Sequence, residues 1–251
     1  MGLSDSEFQA LRSQIEPLIT GAVRLLANIA GASGQNRDKA MQEYGRLLDA
    51  HMLATGVISS VLTRTNLVPG ATSPSISERL ALVASFVQGI AVCESTISEG
   101  LYAQASALLK QELETLAAIQ ECQKGKRKPE KTPNVGSALW NMNQTYGDLN
   151  RLAHVADSQL LNKLYQCGGP AGFHETAVKL MPVSIQPQYH RDVARNLYAV
   201  RVIFLVLLGM ELGTLTSEMY GDGLNENEKT ALFVSAQHVA NEGYLEKQEQ
   251  I

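Results

Sequence analysis

Charge is scarce in this sequence, and what there is nearly cancels. Asp, Glu, Lys and Arg make up 18% of the chain, 25 acidic against 21 basic, for a formal net charge of −4. Nothing global therefore draws the chain onto nucleic acid or anionic lipid. Only the short connector carrying Lys124, Lys126, Arg127, Lys128 and Lys131 offers a phosphate contact. It lacks interleaved aromatics on which bases could stack, so it reads as a solvated loop. Cysteine is sparse as well: Cys93, Cys122 and Cys167, an odd number with no CxxC. That usage suits free thiols in a reducing, cytoplasmic setting and supplies no metal-ligand spacing. The glycine-rich CGGPAG (167–172) is followed by no Lys-Ser or Lys-Thr, and no G-x-S-x-G elbow occurs, so no cofactor or metal is expected. The opening MGLSDSEF is polar and acidic where an export signal needs positive charge and then an apolar run. Long apolar runs are missing too. The most apolar, Val202–Met210, has nine residues between Arg201 and Glu211, about half of what a membrane span takes, so no membrane partner is expected.

What is present is helical period. Apolar residues recur at three- and four-residue intervals nearly throughout, and strand-like alternation is almost absent, which predicts an all-α, single-domain bundle over residues 1–251. The spacing predicts about seven helices. A first runs over 5–31, bent at Pro17, which cannot donate its backbone hydrogen bond, and closed by Gly31 and Gly34, and a second over 35–66. The breaker-rich LVPGATSPSI (67–76) follows, the one place where a domain split is conceivable. A third helix from a Ser77 cap to Ile97 turns at Gly100 into a fourth, 101–123. The basic loop 125–136 leads to a fifth from Ser137. Residues 158–166 form a short helix, 167–187 are irregular, and helices over 188–219 and 225–247 complete the chain. The helix at 188–219 is apolar all round through VIFLVLLGM, so it should be the buried rod on which the amphipathic others pack.

Candidate chemistry is thin. At 100° per residue Glu112 falls among Ala105, Leu108, Leu116 and Ile119, inside an apolar stripe; Glu94 is placed similarly beside Ile90 and Val87. A buried carboxylate needs a cation, and Arg191 and Arg195, one turn apart, are the natural ones. In YGDLNRLAH (146–154), Tyr146 joins Leu139, Met142, Leu149 and Ala153 on one face, while Asn143, Asn150 and His154 form a polar line. Tyr146 should pack inward with its hydroxyl bonded, and His154 has no nucleophile or metal-ligand partner near it in sequence. Glu112, Tyr146, His154 and Arg195 are the residues from which a small-ligand or catalytic pocket would be built.

The stretch GLYAQASALLKQELETLAAI together with YGDLNRLAH resembles a group of uncharacterised bacterial all-α proteins. In these, a basic residue and a Glu four positions later precede a Tyr-x-x-Leu-x-x-x-x-His segment. Lys110 and Glu114 match the first pair, with Lys where Arg is commoner, and Tyr146, Leu149 and His154 match the second. The resemblance covers about residues 95–155 and implies a helical domain without a defined activity. HEPN ribonucleases, which carry Arg-x(4–6)-His, offer one match, Arg46 and His51. Leu47 occupies the position where that family has a polar residue, and Arg151 stands only three residues before His154. Two readings follow. The favoured one is a non-catalytic protein acting by helix association, with itself or with a protein partner, for which the small-residue face Ala103, Ala107 and Ala117 is suited. The other is a HEPN-like nuclease or a small-ligand site.

Overall fold

A computed structural model describes residues 5–128, 130–137, 142–154 and 187–245. Among these the protein is all-α, with seven α-helices, one 3-10 turn and no strand. The helices are α1 (Asp5–Tyr44), α2 (Arg46–Thr65), α3 (Pro74–Ser98), α4 (Tyr102–Gln123), α5 (Asn143–Ala153), α6 (Pro187–Tyr220) and α7 (Glu226–Asn241); Val135–Ser137 forms the 3-10 turn. The expected short helix at 158–166 and irregular stretch at 167–187 lie outside the described residues, apart from Pro187.

The centre is α6. Val202, Phe204, Leu205 and Leu208 are inaccessible to solvent, and Ile203, Val206 and Leu207 are buried beside them. A helix apolar on every side lowers its free energy only when every side is covered. Helices α1, α2, α3, α4 and α7 all touch it. Gly209 lets α7 approach closely, since a Cβ there would stand 2.8 Å from a methyl of Leu232.

Helix starts follow local chemistry. Ser73 caps α3 by accepting from the Ile76 amide at 3.2 Å, with Pro74 at the first position, where its missing N–H costs nothing. The cap thus lies four residues before the Ser77 expected from the sequence. Asn225 and Glu228 close a reciprocal capping box at α7, both bonds 2.9 Å. The segment between α2 and α3 is tied down rather than free: the Ala71 amide donates to the Met219 carbonyl at 2.8 Å, and the Tyr220 hydroxyl donates to the Val68 carbonyl at 3.1 Å.

The largest boundary shift is in the first helix, while α5 begins at Asn143 rather than at Ser137, which lies in the 3-10 turn, and α7 ends at Asn241 rather than at 247. The first helix does not stop at Gly31–Gly34 but continues to Tyr44, and the break comes at Gly45, whose φ is +50°. A glycine in a right-handed helix costs only about 1 kcal/mol, which does not end a helix, whereas a left-handed residue does. The resulting α1 has 40 residues, so it is about 60 Å long. Its C-terminal part packs on the body through Ser33, Asn36 and Tyr44, all buried. Its N-terminal half packs on nothing described: Leu18 is 73% exposed, Ile19 56%, Val23 62% and Leu26 65%.

Candidate functional site

Helices α4 and α5 bring four polar side chains together at their contact. The Tyr146 hydroxyl donates to Glu114 Oε1 at 2.8 Å. Lys110 lies one turn before Glu114, with Nζ 4.0 Å from the same carboxylate and 5.5 Å from the Tyr146 ring centroid. The fourth member is His154, the residue that ends α5; its Nε2 is 3.4 Å from Lys110 Nζ. An ammonium only donates, so the imidazole nitrogen is the acceptor in this contact. The Leu149 side chain, buried on the inner face of α5, holds the helix against the body and so fixes Tyr146 and His154 on either side of it. Burial first, and Glu114 second, push the Tyr146 hydroxyl above its usual pKa, which keeps it a neutral donor. Chemically the cluster is a cation and an imidazole held side by side at a partly exposed edge by a Tyr–Glu brace. An anion could bridge these two nitrogens when the imidazole carries its hydrogen on Nε2 and so donates.

The other singled-out residues lie elsewhere. Glu112, on the inner face of α4, pairs with Arg201 of α6 rather than with Arg195, which bonds elsewhere. Arg201 is fully buried, donates also to the Ile90 carbonyl at 3.4 Å and stands over the Phe86 ring. Burial raises the Glu112 carboxyl to about 7 against the opposing pull of Arg201. Arg195 bonds Glu242 and donates to the Glu43 carbonyl at 2.5 Å, tying the end of α7 to the end of α1. Arg191 lies outside the residues whose side chains are described. Glu112, Tyr146, His154 and Arg195 therefore do not form one group: Tyr146 and His154 of α5 meet Glu114 and Lys110 of α4, while Glu112 and Arg195 each serve a separate ion pair.

The nuclease pair is divided by burial. Arg46 is exposed at the first position of α2, but His51 is 2% exposed and stacks on Tyr198, ring centroids 5.2 Å apart, which in turn stacks on Tyr44 at 3.8 Å. Burial, then the charge of Arg201, lower the His51 pKa to about 4. A ring sealed in this way reaches no phosphodiester. In the basic connector, Lys126, Lys128 and Lys131 are exposed, while Arg127 turns back to the carbonyls of Lys128 and Lys131 at 2.8 and 2.9 Å. No group of three or more metal-binding side chains occurs among the described residues.

Two features escape a reading by runs and motifs. The first is Arg201 as the buried counter-ion, which the apolar neighbours around it disguise. The second is the outer half of α1. Among the described residues three helices are long and apolar enough to cross a membrane: Arg12–Tyr44, Pro74–Ser98 and Val193–Tyr220. The most apolar 18-residue window of α6 is mostly inside the protein, that of α3 is mostly outside, and that of α1 has no buried residue. The face Ala103, Ala107 and Ala117 is not a single surface, since Ala117 is buried, Ala103 half-buried and Ala107 exposed. No family model matches the chain, nor does any curated protein or solved structure.

Proposed function

We propose that the protein is a non-catalytic association module whose contact element is the outer half of α1. The observation that carries this reading is exposure. Ile15, Leu18, Ile19, Val23, Leu25 and Leu26 all stand in solvent on a helix whose other end is firmly packed. Each such side chain gains about 1.5–3 kcal/mol on full burial, so a helix left in this state is incomplete without a cover. The free thiols Cys93 and Cys122 are buried, which suits a reducing compartment such as the cytoplasm. A photo-crosslinking residue in place of Leu25, in living cells, tests the reading. One discrete protein adduct is expected, with none from Thr20 on the opposite side. No protein adduct at Leu25 ends the reading.

A second reading rests on the convergence of Lys110, Glu114, Tyr146 and His154. The pair Lys110–His154 would take a small carboxylate or phosphate. Titration with inorganic phosphate and with acetate, followed by the His154 ring resonances, should shift them in the wild type and not in Lys110→Gln. Equal behaviour of the two proteins removes this reading.

A further inference from the structure

The face that α1 turns to the body continues outward in a strict heptad. Counting a and d positions, Ile15, Ala22 and Ile29 fall at a, and Leu18, Leu25 and Ala32 fall at d. The same phase puts Phe8 and Leu11 at a and d at the start of the helix. That is about three and a half heptads, and a 3.5-residue repeat keeps its seam only against another helix of the same repeat. Ile29 and Ala32 are already half-buried, and the next a position, Asn36, is buried and donates to the Glu99 carbonyl at 3.0 Å. The seam thus runs without a step from the packed foot of α1 into its bare outer half.

The geometry points to a second copy of this chain as the cover, forming a parallel, in-register two-stranded coiled coil through residues 8–32. This rests on the association reading above and names its partner. Ile at a with Leu at d is the pattern that selects two parallel strands. The flanking positions agree. In a parallel pair each g residue meets the e residue five positions on in the other copy. Gly21 then faces Leu26, which places a bulky side chain over a glycine. The opposite side of the helix carries Ser13, Glu16, Thr20, Arg24 and, beside the seam, Asn28. Spanning a bilayer would drag these into hydrocarbon, whereas a helical partner leaves them in water.

The test uses the full chain. Light scattering at micromolar concentration should give twice the chain mass. Leu18→Glu combined with Leu25→Glu should give the monomer mass, with helical circular dichroism and the cooperative melting of the body retained. Under mild oxidation Leu25→Cys should cross-link to itself, while Thr20→Cys and the wild type, which controls for native thiols, should not. A monomeric wild type overturns the proposal, as does a dimer indifferent to the two glutamates. A dimer that Leu25→Cys fails to cross-link overturns the parallel arrangement. Sedimentation of a monomeric chain with phosphatidylcholine–phosphatidylglycerol vesicles would make lipid the cover instead. A monomer that still yields a foreign protein adduct at Leu25 in cells defeats only the second copy; a monomer with no adduct defeats the association reading as well.

Discussion

The middle of α6 and the outer half of α1 are both apolar helix, yet one is enclosed on every side and the other stands open to solvent. Through Val202–Leu208 no side chain of α6 keeps more than a few per cent of its surface, and five other helices contribute to that enclosure. From Ile15 to Leu26 α1 keeps its apolar side in water. The difference lies in distribution rather than amount. Apolar residues on every face demand a complete jacket, which the rest of the chain provides. Apolar residues on one seam, backed by Glu16, Thr20 and Arg24, demand a single neighbour. Composition alone does not separate these cases; angular placement does.

Substitutions in the two regions should therefore behave differently, and the largest effect belongs to the charge inside the jacket. Arg201→Met leaves the Glu112 carboxylate buried without its cation and should destabilise by about 3–5 kcal/mol in urea denaturation. Adding Glu112→Leu should restore a substantial part of that loss. Leu205→Ala, which opens a cavity on the same helix, should cost about 2–5 kcal/mol by the same measurement.

Acid provides the next probe. The unfolded chain protonates His51 near 6.5, while in the folded protein burial and Arg201 hold the ring neutral down to about 4. Its contribution is complete above 6.5 and is lost as pH falls toward 4, by about 3 kcal/mol in all. Glu112 acts in the opposite sense: its raised carboxyl makes stability fall as pH rises from the usual 4.5 to about 7. Comparing the wild type with His51→Phe isolates the histidine, and the wild type should lose unfolding free energy relative to the variant as pH falls from 6.5 to 4. The smallest effect is expected on α1. Leu26→Ala, measured at the lowest workable protein concentration, should change stability by no more than about 0.5 kcal/mol. A loss comparable to that of Leu205→Ala would erase the contrast between the two helices.

The all-α class and the central place of α6 were legible in the sequence, because a nine-residue stretch apolar on all sides has no stable position except inside. The face that carries Glu112 was legible from helical angles. Its partner was not, since angle says nothing of height along a neighbouring helix, and Arg201 sits two turns beyond Arg195 among residues that look purely hydrophobic. Lys110 with Glu114 and Tyr146 with His154 are each visible as local pairs. Their meeting depends on how α5 returns across α4, which no local pattern encodes. The seam of α1 is hidden by treating Gly31 and Gly34 as a stop; only the φ of +50° at Gly45 tells a helix-ending glycine from one the helix absorbs.

Arg195 joins, through one guanidinium, the Glu43 carbonyl near the foot of α1 and the Glu242 carboxylate that follows α7. The long lever at the start of the chain and the closing helix are consequently bolted at a common point on the central rod. Losing that one side chain would release both fastenings at once.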